Sequence, residues 1–208
     1  MRLYVDANFA SPYALVVFVS LIEKGLDFEI EPLDLVAHAN HDPHFSKTSI
    51  TRRVPTLVHD DFALSESSAI CEYLDESFPG TRLYPTDARD RARARQIQAW
   101  VRSDLMPIRD ERPTFVVFHG AKRPALSAAA RGGADQLFSA ALTLLEGRTD
   151  NLFGEWSIAD VDLAMMLQRL IVLGDPVPQR LIDYAAQQWR RASVQQWISK
   201  ERPPLIGY

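Results

Sequence analysis

Cysteine is nearly absent from this chain: Cys71 is the single one in 208 residues. One cysteine excludes an internal disulfide framework and fits a reducing compartment. No Cys-x-x-Cys pair occurs, so a dithiol redox mechanism carried by the protein itself is excluded as well. Long apolar runs are also missing, since the stretch from Ala14 to Ile22 is far short of the ~20 residues that cross a bilayer. The opening Met1-Arg2-Leu3-Tyr4-Val5-Asp6 is interrupted by charge where a secretion leader would be apolar, which predicts a cytoplasmic chain with no membrane partner. There is no excess of positive charge. The formal net charge of -4 gives no reason to expect nucleic acid as a partner. Repeats and low-complexity segments are absent too. What remains is a 47% hydrophobic, 24% charged composition, ordinary for a globular chain of one large or two small domains.

The first half alternates strand and helix signals. Leu3-Tyr4-Val5 reads as a short buried strand. Ser11 stands as an N-cap with Pro12 at the first helical position; Leu15, Phe18, Val19 and Ile22 follow at helical spacing, and Gly25 is the stop. Phe28 to Leu33 is the next strand, so the three elements predict a βαβ unit with a right-handed crossover. Val36 to Arg52 is polar and irregular, with room for at most a short helix. Thr56-Leu57-Val58 and Phe62-Ala63-Leu64 flank Asp60-Asp61 as a hairpin, and a helix runs on through Ile70, Tyr73 and Leu74. The order is β-α-β-α-β-β-α.

Pro79-Gly80 and Pro85 bracket a linker, which divides the chain into a first domain over 1–79, a linker over 80–86 and a second domain over 87–208. Beyond the linker there is no strand pattern. Helical patterns run from about Asp87 to Arg109, Ala128 to Leu145 and Ile158 to Leu173, followed by two shorter ones to about Lys200. Arg89, Arg91, Arg93 and Arg95 form no single phosphate-binding stripe, because helical residues two apart lie about 200° apart. They read as a solvated face, with Asp87 placed four residues before Arg91 for a helical pair.

Two stretches carry chemistry. Arg53-Val54-Pro55-Thr56-Leu57 is a loop entering a strand, and Leu64-Ser65-Glu66-Ser67-Ser68-Ala69-Ile70 is a strand entering a helix. With Ser11-Pro12, they make three turns able to converge at one end of a small α/β domain. Such a surface grips a peptide-like ligand by backbone hydrogen bonds and a helix N-terminus. His38, His41 and His44 share one polar loop with no cysteine nearby, and no metal is expected there. Cys71 falls inside a helix as a buried, small apolar residue.

In this order and spacing, Ser11-Pro12, Arg53-Val54-Pro55, Glu66-Ser67 and Ser157-Ile158-Ala159-Asp160 resemble the glutathione transferase family over nearly the whole chain. The run from Arg91 to Arg112, with Gln96-Ile97-Gln98-Ala99-Trp100, looks like a bacterial glutathione-transferase-like subgroup. The resemblance implies a thioredoxin-like α/β domain followed by an all-α domain. It implies reduced glutathione as cosubstrate, no other cofactor and a homodimer. Detoxification or defence against oxidative stress would be the setting.

Residue by residue, the resemblance makes Ser11 the catalytic group, donating a hydrogen bond to the thiolate of glutathione. On the residues alone, Ser11 reads first as a plain helix cap, and Tyr4 and Tyr13 are its competitors for the catalytic role, ranked below it. Pro55 matches the family's cis-proline, which would turn the backbone of Val54 toward the cysteinyl part of the ligand. Glu66 and Ser67 would hold the γ-glutamyl end, Glu66 by its carboxylate and Ser67 by its N–H and hydroxyl. Arg53 stands where the family commonly has lysine and would pair with the glycyl carboxylate, with Arg52 as its rival. The family's Asn-Pro or Gln-Pro upstream is replaced by Ser49-Ile50-Thr51. Phe9, Trp100, Ser103 and Met106 would line the cleft for the electrophile. Ser157 and Asp160 form a capping box, a device for stability. Two activities would follow from one site, conjugation of a small electrophile or reduction of a peroxide or disulfide; a third reading is a non-catalytic adaptor that uses the fold for protein–protein contact. The tail over 203–208 is apolar enough to cover the site or to pack on the surface.

Overall fold

Leu3, Tyr4 and Val5 are buried, and their apolar run forms the centre of β1 (Arg2–Asp6) in the computed structural model, which describes residues 1–148 and 150–204. Ser11 caps α1 (Pro12–Glu23), whose residues from Ala14 to Leu21 are all buried, and Gly25 ends it at φ 66°. β2 (Glu29–Leu33) lies parallel to β1. The polar stretch holds a 3-10 turn at Ala39–His41 and one short helix, α2 (Pro43–Thr48), as its composition allows. β3 (Thr56–His59) and β4 (Phe62–Ser65) form the hairpin; Asp60 takes φ 55° in the turn, a conformation that aspartate tolerates better than most residues. α3 (Ser67–Ser77) completes the β-α-β-α-β-β-α order. The sheet runs β2-β1-β3-β4, with β3 antiparallel to both neighbours.

α1 and α3 pack together. Their ends are tied by Lys24, whose Nζ lies 2.9 Å from Asp75 Oδ1 and donates to the Phe78 carbonyl at 3.0 Å. Both side chains of this pair are nearly sealed from solvent. Such a pair mainly specifies geometry, because desolvation offsets much of its attraction. Gly80, at φ 103°, rests on this corner, where a Cβ would come within 3.2 Å of the Lys24 carbonyl oxygen.

The remainder is helical: α4 (Ala88–Ser103), α5 (Met106–Glu111), α6 (Phe115–Phe118), α7 (Ala128–Leu144), α8 (Ile158–Ile171), α9 (Gln179–Trp189) and α10 (Ala192–Ile198). The pattern expected to run from Asp87 to Arg109 is broken in two. Pro107 has no N–H to give the Ser103 carbonyl and its ring would collide with it, so α4 stops and α5 restarts with Pro107 in its first turn. Asp87 makes a different bond from the one expected. Its carboxylate caps α4 by accepting the Arg89 and Asp90 amides, while Arg91 Nε donates to the Pro85 carbonyl.

Contacts gather the chain into two units, one of Met1–Leu83 with the segment from Ser193 onward and one of Tyr84–Ala192. α10 thus joins the first unit although it follows the second in sequence. Trp197 explains why: the side chain is wholly buried, its ring 5.3 Å from Phe18 and 5.6 Å from Phe9. In the second unit α8 is the central element, buried at every position from Ile158 to Leu170. Among the described residues no helix is long and apolar enough to cross a membrane.

Candidate functional site

One row across the sheet brings the predicted turns together. Tyr4 pairs with Thr56, and Thr56 pairs with Ser65. Because β3 is antiparallel to both neighbours, the end of β1, the start of β3 and the end of β4 lie at one end of the sheet. The chain leaves that end at Asp6 toward Ser11, reaches it through Val54-Pro55, and leaves it again at Glu66-Ser67. Ser11, Val54, Glu66 and Ser67 are therefore brought to the same end of the first unit.

Ser11 is half-buried and its Oγ accepts the Ala14 amide at 3.2 Å, closing the first turn of α1. That bond uses a lone pair and leaves the hydroxyl proton available to another acceptor. Capping and donation to a ligand are thus compatible in this one residue. The Ser11 amide is held in turn by Asp6, whose two carboxylate oxygens accept Ser11 N at 3.0 Å and Ala10 N at 2.7 Å. Burial raises the Asp6 pKa; the two amides and the charge of Arg202 oppose that rise. Asp6 is a supporting residue that the motif reading missed. Its signal was faint: an aspartate closing a strand just before a helix cap.

The Val54–Pro55 bond is cis. The carbonyls around it are tied down. Asn40 Nδ2 donates to the Arg52 carbonyl at 3.0 Å, and Thr56 Oγ1 donates to the Arg53 carbonyl at 2.7 Å. The Ser49 hydroxyl, from the segment that replaces the Asn-Pro, lies 3.4 Å from that same Arg53 carbonyl and 2.9 Å from Thr56 Oγ1. The N–H and C=O of Val54 take no part in these bonds. Arg52 and Arg53 both extend exposed side chains beside it.

Glu66 takes φ 71° and ψ 109° at the start of α3, with an exposed side chain that makes no cap bond. A non-glycine residue rarely adopts such a φ, and residues held so are concentrated where ligands are gripped. Ser67 follows, 2% exposed, as the first residue of α3, where helix amides face outward without partners in the helix.

The four residues expected around an electrophile fall differently. Phe9 is half-buried in the first unit, at φ 47°. Trp100 lines a groove of about 470 Å³ between α4 and α7, together with Ile97, Ala140 and Leu144. Ser103 and Met106 line no part of that groove. The Ser103 hydroxyl bonds the Ala99 carbonyl and Asp104 Oδ1, and Met106 is 43% exposed. Of the competitors, Tyr4 is buried against Phe45, with ring centroids 5.2 Å apart. Cys71 is fully buried, its Sγ 3.2 Å from Ser20 Oγ. Among the described residues no group of three or more His, Cys, Asp or Glu is arranged to hold a metal ion. Residues 205–208 of the apolar tail lie outside the described residues, and Pro203 and Pro204 are exposed.

Comparison with known proteins fits this layout. Residues 9–82 match the glutathione S-transferase N-terminal domain, and residues 87–202 match the glutathione S-transferase C-terminal domain. A glutathione transferase homolog from Burkholderia GL BGR1, solved with bound glutathione, is 45% identical over 95% of both chains, with a TM-score of 0.76. Glutathione S-transferase 1 of Dianthus caryophyllus is 38% identical over 45% of this chain and 42% of its own length. Maleylacetoacetate isomerase of Rattus norvegicus is 33% identical over 49% of this chain and 48% of its own. The chain spans less than half the length of these curated relatives. Two domains matched in order, and one relative matched almost end to end, make this chain a member of the glutathione S-transferase family.

Proposed function

We propose that the first unit binds reduced glutathione and that Ser11 stabilises its thiolate for attack on a small electrophile. The observation that carries this reading is the row Tyr4–Thr56–Ser65, which sets the turns bearing Ser11, Val54 and Glu66-Ser67 at one end of the sheet. The Burkholderia homolog with bound glutathione supports it. Val54 pairs its N–H and C=O with the cysteinyl backbone of the ligand, as an added strand pairs with a sheet edge. Ser67 takes the γ-glutamyl carboxylate at the start of α3, and Glu66 takes the adjacent ammonium by a charge-assisted bond. Arg53 is assigned the glycyl carboxylate, with Arg52 one residue away as its competitor.

A free thiol of this kind has a pKa near 8.5, so at neutral pH most of it is protonated and a poor nucleophile. Serine is too weak a base to remove the proton. Its hydroxyl instead donates to the sulfur, favouring the anion, and the proton passes to solvent. Each unit of lowered thiol pKa corresponds to about 1.4 kcal/mol. The positive end of α1 adds to this at the same place. The thiolate then forms a carbon–sulfur bond and displaces a leaving group such as halide. A homodimer is the assembly assigned to this reading.

The isomerase relatives favour a second outcome for the same thiolate. The sulfur adds to an activated cis double bond, rotation follows about the resulting single bond, and elimination releases the trans product with the thiolate intact. No glutathione is consumed. The experiment measures glutathione consumption with a chloro-nitroaromatic, a cis-unsaturated diketo acid and an alkyl peroxide in parallel. Consumption matched by a thioether product supports conjugation. Isomer formation without consumption moves the reading to the isomerase, and oxidised glutathione with peroxide moves it to reduction. Absence of glutathione binding by calorimetry overturns all three in favour of an adaptor.

A further inference from the structure

The peptide unit between Phe9 and Ala10, two residues before Ser11, is gripped at both of its polar ends. Its N–H, on Ala10, donates to Asp6 Oδ2 at 2.7 Å. Its carbonyl, on Phe9, accepts Arg202 Nε at 3.3 Å. Arg202 comes from the far end of the chain and is itself anchored: Nη1 donates to the carbonyls of Ile198 and Lys200 at 2.8 Å each, and Nη2 to that of Trp197 at 2.9 Å. The Phe9 ring packs edge-on against Trp197, and Lys200 Nζ lies 5.4 Å from its centroid. Because a peptide unit is planar, fixing both its ends fixes its orientation. Phe9 needs such a hold, since φ 47° is unfavourable for a bulky residue.

We propose that Arg202 is a positioning residue for Ser11: by holding the Phe9 carbonyl from outside while Asp6 holds the Ala10 amide from inside, it sets the direction of the Ser11 hydroxyl. This rests on the reading of Ser11 as thiolate stabiliser. A guanidinium suits the task because its planar fork reaches several carbonyls at once, whereas an ammonium is a compact point charge. Nothing in the assignment places Arg202 on the ligand. Its loss therefore acts on the sulfur without removing the contacts of Val54, Glu66 and Ser67.

The test compares wild type, Arg202→Met, Arg202→Lys and Arg202→Ala. The readouts are the pKa of bound glutathione from thiolate absorbance, glutathione affinity, kcat, and amide hydrogen exchange at Ala10 and Ser11. In Arg202→Met the bound thiol pKa moves toward the free value and kcat falls about tenfold, while glutathione affinity changes by less than about threefold. The Ala10 and Ser11 amides exchange faster. Arg202→Lys, which keeps the charge and most of the stem, follows Arg202→Met in thiol pKa and kcat. Low millimolar guanidinium restores part of kcat in Arg202→Ala and leaves wild type unchanged.

A bound thiol pKa and Ala10 exchange that stay at wild-type values in Arg202→Met overturn the proposal, and the same result in Arg202→Lys does so if the Met variant does not fold. An affinity loss as large as the loss in kcat also overturns it, because that marks a general collapse of the site. If wild-type protein binds glutathione without lowering its thiol pKa, it is the reading of Ser11 that fails. The grip on the Phe9–Ala10 peptide is then still decided by amide exchange in the same variants.

Discussion

Two buried aspartates, one in each unit, organise helix starts by the same chemistry and leave the neighbouring serine in opposite states. Asp6 accepts the amides of Ala10 and Ser11 ahead of α1. Asp160, at the start of α8, accepts the amides of Leu152 and Ser157 at 2.8 and 2.9 Å. Burial raises both carboxyl pKa values. Asp160, however, also takes the Ser157 hydroxyl at 3.0 Å and the Tyr184 hydroxyl at 2.9 Å, and Ser157 is completely enclosed. The Ser157 proton is committed within the fold. Ser11 holds an amide with a lone pair, donates its proton to no acceptor among the described residues and remains half-buried. A buried carboxylate beside a capping serine is thus neutral as to purpose. Whether the serine can meet a ligand depends on where its proton points.

The sharpest way to break this comparison is Asp160→Ala, which leaves four donors without their shared acceptor. A loss of at least about 3 kcal/mol in urea unfolding is expected, because stranded buried donors each cost about 1–3 kcal/mol. A loss under 1 kcal/mol would mean that Asp160 is not the organising group of the second unit. Ser11→Ala should act chiefly on chemistry, lowering kcat/KM by about 10- to 100-fold as the bound thiol pKa rises by one to two units. Its stability should fall by only about 1 kcal/mol, the usual value of a lost cap. Ser157→Ala reverses the pattern. Its stability falls by about 1–2 kcal/mol, while kcat/KM per folded molecule stays at the wild-type value. Equal stability losses with equal activity losses in the two serine variants would erase the distinction.

The smallest effect is a pH dependence carried by Asp6. Since its folded pKa lies above the ordinary carboxylate value, the folded chain binds this proton more tightly than the unfolded chain does. The stability so contributed is complete below the unfolded value and is lost as pH rises through the folded value. Subtracting the stability profile of Asp6→Asn from that of wild type should leave a difference that falls across this window and is level above it. A difference that climbs with pH would show that the two amides and Arg202 outweigh burial.

Where local signals were self-contained, the elements came out nearly as read. Ser11-Pro12 with its apolar periodicity and Gly25 bound α1, and Asp60-Asp61 between two short runs marks the hairpin. The break between α4 and α5 was also written in the chain, as Pro107, but a continuous apolar pattern on either side concealed it. The four-residue α6 carries too short a pattern to register. Ser11, Val54, Glu66 and Ser67 were visible as motifs because each sits at a turn whose residue types are restricted. The resemblance groups Trp100, Ser103 and Met106 on one cleft, yet Met106 lies beyond the break between α4 and α5. The groove that Trp100 lines includes neither of the other two.

The β-α-β-α-β-β-α order of the first unit, the Ser11 cap, the Ser157-Asp160 capping box and the candidate site motifs were legible in the sequence alone, because each rests on residues a few positions apart. Tertiary structure decided the rest. The pairing of Tyr4 with Thr56 and of Thr56 with Ser65 set three separate turns at one end of the sheet, and only the sheet register could do that. The bond from Arg202 to Phe9 joins residues 193 positions apart, and nothing local announces it. A hydrogen bond of that reach exists only once α10 has buried Trp197 against Phe18, bringing the end of the chain to its beginning.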